Sequence, residues 1–179
     1  MADFTRAYLK TSAFEGGYAN HPNDKGGETY KGIARNMWKV WAGWKIIDRY
    51  KSSPISMKQL DAFLRGNMEL EDMVEEFYRA HFWKPIMGDD FINQLSADNV
   101  YDFAVNSGVS RAVKYAQRIV STVEDGVMGA KTIRAINGNV EGFVTKYKAS
   151  RLSFLEKIVA RDESQSVFMH GWDNRVRNA

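Results

Sequence analysis

At 179 residues, with 44% apolar and 26% charged side chains, the sequence suits one globular domain, or one with a small lobe, and excludes a disordered chain. It has no cysteine, so disulfides, thiolate nucleophiles and zinc–thiolate sites are ruled out, and no cofactor or metal is expected from three isolated histidines (His21, His81, His170) without an HExxH pattern. The formal charge of +3 lies in the second half: residues 1–90 hold 13 basic and 13 acidic residues, residues 91–179 hold 12 and 9, with no basic stripe of the kind nucleic acid requires.

The N-terminus MADFTRAYLK lacks the basic and apolar regions of a cleavable signal, and no apolar run approaches the roughly 18 residues of a membrane span. The expectation is a protein made soluble in the cytoplasm, without membrane insertion. A first helix is predicted over Asp3 to Glu15, because Phe4, Tyr8, Thr11 and Glu15 recur at helical spacing on one face. Glu15 ends a stripe that begins with inward-pointing aromatic residues. A carboxyl carried toward an apolar interior has its charged form disfavoured and can hold a proton near neutral pH. Gly16 and Gly17 suit a left-handed helix cap and a close substrate approach.

The segment from Tyr18 to Tyr30 reads as a loop or small β-hairpin turning at Gly26-Gly27. Asp24 sits there in NDKGG, a polar, wet setting where a carboxylate stays ionised. Two carboxyls with surroundings that push their pKa values apart make an acid and base pair, which is what glycoside hydrolysis needs. Thr29 is placed to orient a water between them, and Tyr18 and Tyr30 offer flat faces for sugar rings. A second helix is predicted over Ile33 to Trp44, with Ile33, Met37, Trp41 and Trp44 on one face, as a core stripe or with one tryptophan lining a sugar cleft.

Ser53-Pro54 breaks the chain, and Ser56-x-x-Gln59 reads as a capping box for a helix bearing Leu60, Phe63 and Leu64. A helix from about Glu69 to Phe82 turns Met73, Phe77, Ala80 and His81 inward and Glu71, Asp72, Glu75 and Glu76 mostly outward. A soft lobe boundary follows at Trp83-Lys84-Pro85, giving lobes 1–90 and 91–179 packed as one globular unit. Ser96 is predicted to cap a helix ended by Gly108. On it Asp102 and Asn106 lie four apart, and with Tyr101 they are candidates to hydrogen-bond N-acetyl or hydroxyl groups, against a plain helix-surface role. After Ser110 to Val120, the DGVMGAKT stretch reads as a tight turn at Gly126 and Gly129 with Asp125 bonding backbone amides; it lacks the alternating oxygen ligands of a calcium loop. The last long helix spans about Val140 to Ala160, and Phe168 and Trp172 are read as pinning the tail to the core.

EGGY followed by D-x-GG-x-T-x-x-GI resembles the EGGY-motif N-acetylmuramidases of glycoside hydrolase family 108, found among phage endolysins and secretion-activator-like proteins. Glu15, eight residues, Asp24, four residues, Thr29 is also similar to the Glu, Asp and Thr spacing of phage-type lysozymes, with the second gap one residue shorter than is usual there. The stretches YDFAVNSGVSRA and GWDNR, and a D-G-x-x-G-x-x-T turn like that of helical peptidoglycan-binding modules, extend the resemblance toward the C-terminus. It implies a mainly α, lysozyme-like fold with at most a small β-hairpin after the first helix. It implies cleavage of the bond between N-acetylmuramic acid and N-acetylglucosamine in peptidoglycan, with Glu15 as the acid. Asp24 is then base for an attacking water or electrostatic support. The competing class is a non-catalytic wall-binding or secretion-accessory protein. A monomer is expected, moved to the wall by a holin or a secretion system.

Overall fold

Residues 1–12, 16–20, 27–52 and 56–179 are described by the computed structural model; Glu15 and Asp24, the end expected of the first helix and Gly26 of the expected turn lie outside them. In chain order the elements are α1 (Phe4–Ser12), β1 (Tyr18–Ala19), β2 (Thr29–Tyr30), β3 (Ile33–Ala34), α2 (Gly43–Lys51), α3 (Met57–Arg65), α4 (Met68–Tyr78), α5 (Gln94–Ser107), α6 (Val109–Ile119), α7 (Ala130–Gly138), α8 (Val140–Arg161) and α9 (Ser166–Asn178). A π-helical turn, Arg79–Trp83, follows α4. The fold is mainly helical with one small antiparallel sheet, as the sequence indicates. The chain divides into two compact units, one made of Ser12–Tyr78 and the other of Met1–Thr11 with Arg79–Ala179.

In the Ser12–Tyr78 unit the sheet runs β1-β2-β3, with Tyr18 opposite Tyr30 and Thr29 opposite Ala34. Here the sequence reading needs correction. Ile33 belongs to a strand and not to a helix, and α2 begins only at Gly43. Lys31 and Gly32 both have positive φ, 43° and 79°, the geometry a two-residue hairpin loop needs to match the strand twist. The hairpin captures Ile33 and buries it completely, whereas Met37, its expected partner on a helix face, is 76% exposed. Trp44 is buried on α2, and its indole N–H donates to the Trp38 carbonyl at 2.8 Å. Trp38 meets Phe77 of α4 edge-on, which ties the turns before α2 to the helices behind them.

Ser56 caps α3 through the full capping box with Gln59, and Leu60 and Leu64 are buried, while Phe63 stays half exposed against Tyr50. On α4 the buried stripe is Leu70, Val74 and Phe77. The expected inward residue His81 is exposed, because a π-helical turn takes over after Tyr78 and rotates the later side chains out of register. Glu71, expected mostly outward, instead accepts from Tyr30 at 2.7 Å and pairs with Lys31.

The other unit is built around α5. Its buried face includes Ala97, Val100, Tyr101, Phe103 and Ala104, and it packs against α6 and α8. Asn93, and not Ser96, caps α5: its side chain accepts from the Ser96 amide at 3.0 Å while Ser96 itself is fully buried. Phe4, Trp83 and Tyr101 form an edge-to-face cluster, with the Arg79 guanidinium over the Phe4 ring at 4.2 Å. The turn before α7 has the chemistry expected of it. Gly126 has φ +80°, Asp125 accepts from the Val127 amide at 2.9 Å, and Gln117 donates to Asp125 at 2.7 Å. The C-terminal segment is a helix and not a tail. Val176 and Ala179 fasten it, while Phe168 is 53% exposed and pins nothing.

Candidate active site

The described candidates nearest the EGG segment in sequence lie in the Ser12–Tyr78 unit, on the hairpin that follows it. Tyr18 opens β1, and its backbone amide donates to Asp61 on α3 at 2.8 Å. Asp61 is held in place by Arg65 one turn later, at 2.7 Å. Burial acts to raise the Asp61 pKa, but the Tyr18 amide and Arg65 outweigh it and hold the carboxyl below its ordinary value. This close approach explains the second glycine of the motif. A Cβ at Gly17 would stand 2.0 Å from the Asp61 carboxylate and 2.4 Å from Arg65, whereas one at Gly16 would meet nothing within 4 Å. Gly27, at φ +68°, leads into β2 in a conformation side chains rarely adopt.

Between Gly27 and Thr29 lies Glu28, a residue that spacing alone did not single out. Its side chain is 9% exposed and bonded on three sides. It accepts from the Tyr18 hydroxyl at 2.8 Å, from Arg35 at 2.6 Å and from Lys51 at 2.8 Å. Arg35 in turn forks onto Asp48 at 2.7 and 2.5 Å and lies over the Trp44 ring. Burial pushes the Glu28 carboxyl up, but hydrogen bonds from Lys51, Arg35 and Tyr18 prevail and keep it below the ordinary carboxylate range. The same contact raises Tyr18, by burial first and then by the Glu28 carboxylate. Glu28 therefore ties β1, β2, the turn after β3 and α2 to one another. The sequence reading passed over it, because it occupies an unspecified position of D-x-GG-x-T.

Thr29 is half buried on β2, with its hydroxyl 3.5 Å from the Ala19 carbonyl. Tyr18 is half buried, and its hydroxyl is committed to Glu28. Tyr30 does not offer a sugar-stacking face. It is completely buried, its hydroxyl donates to Glu71, and burial followed by that carboxylate raises its pKa.

Three further candidates lie in the other unit, and there too the structure corrects the reading. Tyr101 is completely buried among Phe4 and Trp83, so it has no surface for a ligand. Asp102 is 3% exposed and paired with Arg151 and, at 2.8 Å, with Arg175. A carboxylate with two guanidiniums already upon it serves α5, α8 and α9, not a sugar. Asn106 is exposed, and its amide donates to the Asp102 carbonyl at 2.6 Å. Among the described residues no group of three or more acidic, histidine or cysteine side chains is placed to hold a metal.

Residues 8–108 match the family described as glycosyl hydrolase 108, and residues 111–177 match one described as a predicted peptidoglycan domain. No curated protein matches the chain. Among solved structures, that of SagA from Brucella abortus is similar over 97% of this chain and 89% of its own, at 29% identity and a TM-score of 0.66.

Proposed function

Because this chain belongs to the glycosyl hydrolase 108 family and is a peptidoglycan hydrolase, we propose that it is an N-acetylmuramidase, cutting the β-1,4 bond between N-acetylmuramic acid and N-acetylglucosamine with Glu15 as general acid. The observation that carries this reading is the family match over 8–108, which contains EGGY, Asp24 and Thr29 in one run.

In this proposal Glu15 gives its proton to the glycosidic oxygen as the bond breaks. Asp24 faces the developing oxocarbenium charge or takes the proton of an attacking water. Thr29, on β2, orients that water, and Tyr18 edges the sugar site. The Glu28 cluster is consistent with a stiff strand under Thr29, since its charge-assisted bonds fix four segments at once. A carboxyl separation of about 6.5–9.5 Å goes with inversion and about 5–5.5 Å with retention.

Among the described residues no helix is long and apolar enough to cross a membrane. We take the chain to act as a monomer, with a holin or a secretion route carrying it from the cytoplasm to the wall. Mass spectrometry of digested peptidoglycan tests the bond assignment: new reducing muramic acid ends are expected, and released stem peptides instead would overturn it. Glu15→Gln is expected to abolish those ends by orders of magnitude while the protein still folds.

A further inference from the structure

The C-terminal part of the chain carries two adjoining cavities, of about 240 and 440 Å³, both lined by Ser107 and Arg111. The first has an aromatic wall of Phe103, Phe154 and Trp172, with Asn106 at its rim. Trp172, half-buried, pairs with the exposed Phe168, the ring centroids 5.9 Å apart and the planes at 30°. The second cavity is basic, with Lys114 and Arg118 following Arg111 along α6.

Arg151 and Arg175 both line the first cavity, and each pairs with Asp102. Arg111 adds a third guanidinium, over the Phe154 ring at 5.0 Å. Arg151 is 3% exposed, and among the described residues its Nε has no hydrogen-bond partner. A buried donor without an acceptor costs free energy, which an incoming anion recovers. The groove therefore offers an aromatic wall beside a cationic floor.

We propose that this groove is a substrate-binding site, which takes a muramyl unit of peptidoglycan with the sugar against Trp172 and its carboxylate toward Arg111 and the Arg151 floor. The proposal rests on the reading of the chain as a wall hydrolase. It adds which residues hold the wall and by what chemistry. The carboxylate comes from the lactyl group of muramic acid or from the stem peptide attached to it. Both stand next to an N-acetylated ring, whose apolar face stacks on aromatic side chains. Planar, bidentate recognition of a carboxylate is the strength of a guanidinium, and stacking on Phe154 holds that of Arg111 in place. Binding here holds the enzyme on its polymer between cuts.

Calorimetric titration in a Glu15→Gln background tests this with three ligands: an intact muropeptide, an amidase-stripped glycan that keeps the lactyl carboxylate, and a chitin oligomer that has no carboxylate. The muropeptide is expected to bind at least about tenfold more tightly than the chitin oligomer, as one lost charge-assisted contact requires. If the stripped glycan binds as well as the muropeptide, the lactyl group is the source; if it binds no better than chitin, the stem peptide is. Arg111→Gln is expected to remove the preference, and Trp172→Ala to weaken all three ligands, with Trp172→Phe restoring most of the loss. Melting curves confirm that each variant is folded.

Equal affinity for chitin and muropeptide, an unchanged preference in Arg111→Gln, or tighter binding of a single-stranded oligonucleotide than of any glycan would each overturn the proposal. Residual hydrolysis by the Glu15→Gln protein would count against the catalytic assignment alone and leave this site standing.

Discussion

Replacing Asp102 with Asn tests whether this carboxylate holds the fold or holds substrate. Asp102 is 3% exposed and carries Arg151, itself 3% exposed, on one oxygen and Arg175 on the other. The substitution keeps the shape and removes the charge, leaving the buried Arg151 without the carboxylate it is seen to pair with and Arg175 without one of its partners. Removing one partner of a buried ion pair costs about 3–5 kcal/mol. For a chain of this size each kcal/mol lowers Tm by roughly 2–4 °C, so a fall on the order of 10 °C is expected by calorimetry or by circular dichroism at 222 nm. Arg151→Met with Arg175→Leu in the Asp102→Leu background should recover at least half of the loss, since apolar groups of similar volume replace buried ion pairs at little cost. A Tm for Asp102→Asn within about 3 °C of the wild type would refute the reasoning.

Glu28→Gln should destabilise the protein at pH 7 by about 1–2 kcal/mol, a figure reduced because Arg35 and Lys51 remain partly exposed. The Glu28 pKa is lowered on folding, so its contribution is complete above the unfolded carboxylate value and is lost as pH falls through the folded one. Urea titrations of wild type and variant should therefore draw together as pH falls below the ordinary carboxylate value of about 4.3, and a difference that stays constant until the protein unfolds in acid would contradict the assignment. Gly17→Ala should cost about 1–3 kcal/mol, because the new Cβ drives Asp61 off the Tyr18 amide, while Gly16→Ala should cost well under 1 kcal/mol. Equal urea midpoints for the two would show that the close approach is not what selects glycine. Ser56→Ala should lose about 1 kcal/mol in the same measurement through the broken capping box, and no loss would mean that α3 needs no cap.

The features legible in the sequence were those set by neighbours a few residues away. The Ser56–Gln59 box, the Gly126 turn and the long α8 each depend on local spacing, and each is where its pattern placed it. So is the inward face of α1, where Phe4, Tyr8 and Thr11 are buried in turn. The failures have a common cause. Ile33, Met37, Trp41 and Trp44 match a helix at every spacing, yet Lys31-Gly32 forms a hairpin first and claims Ile33 for the sheet. The turn, with positive φ at both of its residues, pairs Ile33 with Tyr30, and a twelve-residue periodicity is too short to hold a helix by itself. His81 failed similarly, through a π-helical turn that shifts the phase after Tyr78.

The polar candidates separate on different grounds, namely what already satisfies them. Asp102 and Glu28 look alike in sequence: each is a carboxylate inside a segment that resembles a hydrolase motif. In the structure each is nearly buried and bonded to two cations drawn from elsewhere in the chain. No local pattern reveals that, since Arg151 and Arg175 are 49 and 73 residues away from Asp102. A carboxylate so occupied has little capacity left for a sugar hydroxyl. It makes a good fastener. A general acid needs different surroundings, an apolar wall that disfavours its charged form, and Phe4 and Tyr8 begin the stripe on which Glu15 follows in the sequence. Those held by arginine and lysine keep the strands and helices together, and Glu15 and Asp24, both inside the family match, are the pair we propose for chemistry.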